Sequence, residues 1–159
     1  QERTEDAAKH FAALSTLAAD PVMETLTVWD RYPLSHAVHI AERTVSAELA
    51  LARGDHRTAI AALREAVLIE DEIPYDEPPG WHAPVRQTLG VVLLAANQPA
   101  EAEAVYREEL HRNPSNGWSL RGLAESLRAQ KRDDEAAEAE QQLAAAWANA
   151  DVQPVASRI

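Results

Sequence analysis

The feature that most constrains the fold of this chain is an internal repeat with a fixed period. Residues 97–106 and 131–140 share one pattern, in which a polar turn precedes a run of Ala and Glu, and they start 34 residues apart. Residues 54–63 carry a third copy that starts 43 residues before the middle one. Self-similarity at such a spacing indicates repeated supersecondary units whose apolar faces stack on one another.

The copies at residues 54–63 and 97–106 start 43 residues apart, which is nine residues more than the period of 34. These nine extra residues have to lie in a loop. It falls in residues 71–80, which contain three prolines and one glycine. Proline lacks the amide hydrogen that a helix interior needs, so helix is excluded there. We therefore predict a Pro-rich acidic loop over residues 71–82.

Composition favours helices for the repeated units. The chain has 159 residues, of which 46% are apolar, with no Cys and five Gly, while the helix formers Ala, Leu, Glu and Arg recur throughout. This is enough for one compact all-α domain without disulfides or metal. Residues 21–34, which contain the bounding prolines Pro21 and Pro33, fit either a short helix that packs across the first repeat or an irregular connection. Elsewhere, apolar periodicity predicts helices near 3–19, 35–53, 56–70, 83–96, 99–112, 116–130 and 133–149.

The middle copy resembles a tetratricopeptide repeat (TPR), a family whose pattern is W-x-x-L-G-x-x-Y, then A-x-x-x-F, then P. Small residues fall where two helices cross closely, and a proline stops the second helix. The third copy has Glu140 where the family has an aromatic residue, which suits a terminal repeat with one solvated face. The matching residues of the middle copy are Arg86, Leu89, Gly90, Leu93, Ala102, Tyr106 and Pro114.

The resemblance implies an all-α solenoid of antiparallel helix pairs with about three repeats, 35–70, 83–114 and 116–149. An N-terminal helix and connection over 1–34 would pack on it, and 151–159 would form a short tail. The stretch from about 40 to 130 also resembles the C-terminal part of larger bacterial TPR proteins.

In TPR proteins the first helix of each repeat faces a concave groove, so the resemblance also implies a binding site. Trp and Arg in such a groove are typical anchors of protein interfaces. An alternative is that Trp118 packs on Trp81 or a neighbouring helix, and that Arg121 and Arg128 pair with Glu125 on a solvated face. The implied partner-binding residues are Gln87, Val91, Leu94, Trp118, Arg121, Glu125 and Arg128.

Several other classes of function lack their usual signatures. The net charge of -11 would repel nucleic acid and anionic membranes, and no apolar run is long enough to cross a bilayer. No phosphate-binding or nucleophile motif is present, so we expect no enzyme activity and no cofactor. His36 and His39 stand three residues apart, and the acidic loop carries several carboxylates. Neither forms a complete set of metal ligands, so we expect no metal site.

We therefore expect a soluble scaffold that binds a protein or peptide segment in the groove, in the cytoplasm, the periplasm or exported. One alternative is a structural subunit that self-assembles into a homo-oligomer or filament through the last helix, where Leu143 and Trp147 are helically spaced. Another is the regulatory C-terminal domain of a larger protein, because the sequence starts at Gln1 rather than Met. The identity of the partner stays open.

Overall fold

A computed structural model describes residues 2–151 and 156–157, with side chains from residue 6 onward. The described part contains eight helices and one short hairpin, and all seven predicted helices are present with ends within three residues of those expected. The contacts divide the chain into two compact units, Gln1–Val85 and Arg86–Ile159. The elements are α1 Glu2–Ala18, α2 Val22–Thr25, β1 Thr27–Val28, β2 Tyr32–Pro33, α3 Leu34–Leu51, α4 His56–Glu72, α5 Val85–Ala95, α6 Pro99–Arg112, α7 Gly117–Ala129 and α8 Asp133–Ala146.

The first unit is built around the helix pair α3 and α4, with α1 and α2 packed against α3. Ile40 and Leu63 are fully buried between these helices, and small residues allow the helices to approach closely. The side chain of Asp55 accepts a hydrogen bond from the Thr58 amide at 3.0 Å and so caps the start of α4. The alanines of this core with no exposed surface are Ala47, Ala59 and Ala66.

Residues 21–34 begin with a short helix, one of the two expected alternatives, and continue in a hairpin that neither alternative included. The short helix α2 is followed by an antiparallel hairpin in which Thr27 pairs with Pro33 and Val28 pairs with Tyr32. Trp29, at the hairpin turn, is left-handed with φ 51°, and the residue is 58% exposed. Alternation of buried and exposed positions over two residues is too short to be detected in a sequence, so the hairpin was not predicted.

The second unit consists of α5, α6, α7 and α8, and α7 packs against both α6 and α8. Tyr106 of α6 is completely buried, and its ring lies against Gly90 of α5 and Gly122 of α7. A side chain on either glycine would overlap the ring, so the two small residues make room for the tyrosine. Other buried apolar residues of this unit include Leu89, Val92, Leu93, Ala102, Leu120, Leu123, Ala124, Leu127, Ala136, Ala139 and Leu143.

Three helix-ending turns have the same geometry. Gly54, Asn97 and Lys131 are left-handed, with φ of 75°, 59° and 60°. In each turn the next residue's amide donates to the carbonyl five residues earlier, at 2.9, 2.9 and 3.0 Å, as in a Schellman motif. The three positions have the same separations, 43 and 34 residues, as the copies of the sequence repeat. The local backbone therefore repeats with the sequence.

Candidate partner-binding face

Helix α7 has one narrow accessible stripe. Between Gly117 and Leu127, only Trp118, Arg121 and Glu125 are partly accessible, and Arg128 continues the same spacing at the exposed end of the helix. Steps of three and four residues place side chains on one face of a helix. The four α7 residues that the sequence suggested therefore share a face, while the other sides of the helix are packed inside the unit.

Helix α5 presents a similar stripe, although not with all the expected residues. Val91 and Leu94 are partly accessible, as a site requires. Gln87 is only 1% exposed, so its side chain is not available to a partner. Thr88, which sequence reasoning missed, is partly accessible one turn before Val91. The helical spacing of Thr88 from Val91 is the signal that could have found it.

Gln87 has a structural contact instead of a surface position. Its side-chain amide donates to Asn116 Oδ1 at 3.0 Å. The same oxygen accepts a hydrogen bond from the Ser119 amide at 3.2 Å and caps the start of α7. Gln87 therefore connects α5 to the first turn of α7. The TPR groove position of Gln87 therefore predicted its accessibility wrongly. Such a position indicates the direction in which a side chain points, but not whether other residues cover that side chain.

Trp118 combines an accessible surface with an internal contact. Its ring lies edge-to-face against Trp147, with ring centroids 5.1 Å apart. The Trp147 ring in turn lies directly over Gly117, where a side chain would overlap it. The alternative partner considered from the sequence was Trp81 or a neighbouring helix, and the structure shows Trp147, just after α8. Trp118 thus joins the start of α7 to the end of α8.

The charged residues of the stripe are engaged in ion pairs at the surface. Arg121 Nε donates to Glu125 Oε1 at 2.6 Å, four residues further along α7. Arg128 pairs with Glu140 of α8 at 2.5 Å, not with Glu125. The hydrogen bond that Arg128 donates to the Glu140 carboxylate raises the pKa of the guanidinium above its ordinary value. Each side chain of these pairs is between 36% and 53% exposed, so both pairs are open to solvent.

In the part of the chain that the structure describes, no group of three or more His, Cys, Asp or Glu is arranged around a common point. His36 and His39 have separate partners. His36 Nε2 lies 3.2 Å from Glu72 Oε2, and His39 Nε2 lies 3.1 Å from the Ala18 carbonyl oxygen. None of the helices in residues 2–151 combines the length and apolar character that crossing a membrane requires.

Comparison with known proteins agrees with this architecture. Residues 88–151 match the family model described as a tetratricopeptide repeat. No curated protein matches the chain. The solved structure titled "Crystal structure of MamA protein" is similar with a TM-score of 0.60 over 94% of this chain and 70% of that chain, at 12% sequence identity. At this identity the similarity concerns the fold alone. The expected all-α, TPR-like fold is confirmed, and residues 88–151 carry the match to the tetratricopeptide-repeat family.

Proposed function

We propose that this protein is a non-catalytic scaffold that binds a segment of a partner protein on the α5–α7 face. This face is defined by Thr88, Val91 and Leu94 of α5 and by Trp118, Arg121, Glu125 and Arg128 of α7. The observation that carries the proposal is the single accessible stripe of α7. Because the other sides of this helix are buried, a partner that binds α7 has to contact the side chains of this stripe. TPR proteins are typically non-enzymatic scaffolds, which supports the same conclusion.

The chemistry of the α5–α7 face suits a peptide segment. Trp and Arg are the residue types that contribute most to protein interfaces, and Val91 and Leu94 add apolar surface. The ion pair between Arg121 and Glu125 is solvent-exposed, so it contributes little to folding and its members can exchange partners. With a net charge of -11, the chain favours a neutral or basic segment over an acidic one.

A selection from a library of random peptides tests this proposal. Peptides enriched on the full 159-residue chain are synthesised, and their affinities for variants are measured by calorimetry. We expect Arg121→Ala to weaken binding about tenfold, a loss typical of an interface residue that contributes more than 1 kcal/mol. The free energy of unfolding should change by less than about 0.5 kcal/mol, because the residue is at the surface.

The chain offers a matched control for this experiment. Arg112 pairs with Glu108 four residues earlier, with Nε–Oε1 at 2.9 Å and both side chains nearly half exposed. It belongs to α6 and lies outside the α5–α7 face. Arg112→Ala should leave peptide affinity unchanged. Equal losses for Arg112→Ala and Arg121→Ala, or the failure of any peptide to bind, would contradict the proposal.

Self-assembly is a second candidate, and exposed apolar side chains of the first unit favour it. Leu17, Val22, Leu26 and Trp29 are 43%, 42%, 45% and 58% exposed within a stretch of thirteen residues. Large apolar side chains exposed this close together are typical of contact surfaces. The residues suggested from the sequence are less suitable, because Leu143 is 9% exposed and the Trp147 ring packs on Gly117.

Light scattering on a size-exclusion column tests this second candidate. A self-assembling chain should elute above 17.4 kDa. Trp29→Ala should shift it toward the monomer, whereas Tyr75→Ala should not, although the Tyr75 side chain is 80% exposed. A wild-type protein that is monomeric at high concentration would rule the candidate out.

A further inference from the structure

A groove runs between α6 and α8 of the second unit. Two adjoining cavities of about 530 and 350 Å³ form it, and Leu110 of α6 and Gln142 of α8 line both of them. On the α8 side the lining residues extend from Glu135 to Ala146, which is about 16 Å along the helix. This α6–α8 groove is therefore as long as three turns of a docked helix.

The floor of the α6–α8 groove is apolar and comes mainly from α7. Leu123 and Leu127 line one cavity, and Leu120 lines the other. Steps of three and four residues place these leucines on one side of α7. The accessible stripe that contains Trp118 and Arg121 lies on nearly the opposite side, because each residue turns a helix by about 100°. The groove is therefore a second surface, separate from the α5–α7 face.

The edges of the α6–α8 groove are polar, and the α8 edge is acidic. Helix α8 contributes Glu135 and Glu138, and it contains five acidic residues and no Lys or Arg. Helix α6 contributes His111 and Arg107, but Arg107 already donates to Glu103 at 2.8 Å and lies 3.7 Å from Glu135. Within the described residues, no side chain pairs with the Glu138 carboxylate. The groove thus has an apolar floor beside an uncompensated negative charge.

We propose that the α6–α8 groove docks an amphipathic helix of a partner protein that carries Lys or Arg on the flank facing α8. Large apolar side chains of that helix, three and four residues apart, contact the leucine floor. Its basic residues lie beside Glu138, and the net charge of -11 attracts a basic segment. A second copy of this chain brings the same acidic charge, so a basic partner fits better. The protein then holds two segments, one on each side of α7.

A subtractive selection of displayed helices tests this proposal on the full chain. The library contains peptides of about four helical turns, with Leu fixed along one face and the flanking positions random. Clones that bind Ala145→Trp are removed first, and the remaining clones are selected on the wild type. Ala145 lines the groove and is exposed, so the indole fills the groove without entering the core. We expect more Lys and Arg than Asp and Glu at the random positions of the enriched helices.

Synthetic helices from this selection are then titrated against variants by calorimetry. Ala145→Trp should weaken binding by about tenfold or more, because the indole overlaps the bound helix. The matched control is Ala144→Trp, at an exposed alanine of α8 outside the groove lining, and it should leave the affinity unchanged. Glu138→Gln should weaken binding by about two- to fivefold, the effect of one exposed ion pair. Asp134→Asn removes a charge from the same helix outside the groove and should have little effect.

NMR signals of the wild type give the position of the bound helix. The amide signals of Leu110 and Ala139, which line the groove, should shift on binding, and the amide signal of Val91 should not. The selected helices should bind Arg121→Ala as tightly as the wild type. Peptides that need Arg121 should in turn bind Ala145→Trp unchanged, which also shows that this variant is folded. The two binding surfaces can therefore fail separately.

Three results would overturn the proposal. The absence of any clone that distinguishes the wild type from Ala145→Trp would mean that the groove docks no helix. Discriminating clones rich in Asp and Glu would contradict a basic partner. Light scattering gives the third result, since a wild type that is oligomeric while Ala145→Trp alone is monomeric would assign the groove to a second copy. Ala144→Trp is the control for that comparison as well.

Discussion

The ring of Tyr106 occupies the space that a side chain on Gly90 would need. The tyrosine is on α6 and the glycine on α5, so this contact fixes how closely the two helices of one repeat approach. It also explains why the sequence pattern combines a glycine in the first helix with a large aromatic residue in the second. The pair is the steric centre of the second unit.

Gly90→Ala should therefore destabilise the protein. The added methyl group overlaps ring atoms of a tyrosine that has no solvent-exposed surface, and overpacking of this kind costs about 1–3 kcal/mol. Urea denaturation measures the change in the free energy of unfolding. Combining Gly90→Ala with Tyr106→Leu should cost less than the two single changes added together. Full additivity would show that the two residues do not compete for the same space.

Lys131→Gly should stabilise the protein by about 0.5–1 kcal/mol. Lys131 has φ 60°, a conformation that disfavours residues with a Cβ atom and that glycine adopts freely. Gly54 already fills the equivalent turn, with φ 75°. Lys131→Ala keeps the Cβ atom and removes the charge, so it should give no gain. A gain from the alanine variant as large as that from glycine would attribute the effect to charge.

Glu103 connects α6 to the turn between α7 and α8. Its carboxylate accepts hydrogen bonds from Arg107 and Gln130 at 2.8 Å each and from Arg132 at 2.5 Å. Burial by itself raises the pKa of Glu103, but these hydrogen bonds outweigh it and lower the pKa below its usual value. Glu103→Gln should therefore cost about 1–3 kcal/mol of unfolding free energy at pH 7.

The cost of Glu103→Gln should depend on pH. A carboxyl group whose pKa is lower in the folded state stabilises the fold above its unfolded pKa, about 4.3, and loses that contribution as the pH falls through the folded value. The difference in the free energy of unfolding between the wild type and Glu103→Gln should thus be largest at pH 6–7 and should shrink below about pH 4. Glu108→Gln, which changes an exposed pair with Arg112, is the control and should have little effect at any pH.

Trp118→Ala should reduce both the stability of the fold and its affinity for peptides. The Trp118 ring packs against Trp147, and the residue is also partly accessible on the α5–α7 face. Loss of the edge-to-face pair with Trp147 accounts for about 0.5–1.5 kcal/mol of the free energy of unfolding. Trp147→Ala removes the same pair from the other side, and Trp147 is not part of the α5–α7 face. We expect comparable destabilisation for both variants and a loss of affinity for selected peptides only in Trp118→Ala. Equal affinity for both would assign Trp118 to the core alone.

Part of the candidate site could be predicted from the sequence. Residues on one helix, such as Trp118, Arg121 and Glu125, share a face because of the helix period, and that period is visible in the sequence. Gln87 satisfies the same spacing relation to Val91 and is nevertheless buried against Asn116. Periodicity gives the direction of a side chain, but its accessibility depends on residues from elsewhere in the chain.

The sequence by itself determined the helices, their order and the period of the turns between them. These depend on interactions within a few residues, such as apolar spacing, prolines and helix-ending turns at Gly54, Asn97 and Lys131. Only the tertiary structure decided that Tyr106 meets Ser157, that Trp118 meets Trp147, and that Gln87 is buried. These contacts join residues about thirty to fifty positions apart in the sequence. Only the packing of the folded chain brings such residues together, so no local sequence pattern predicts the contacts.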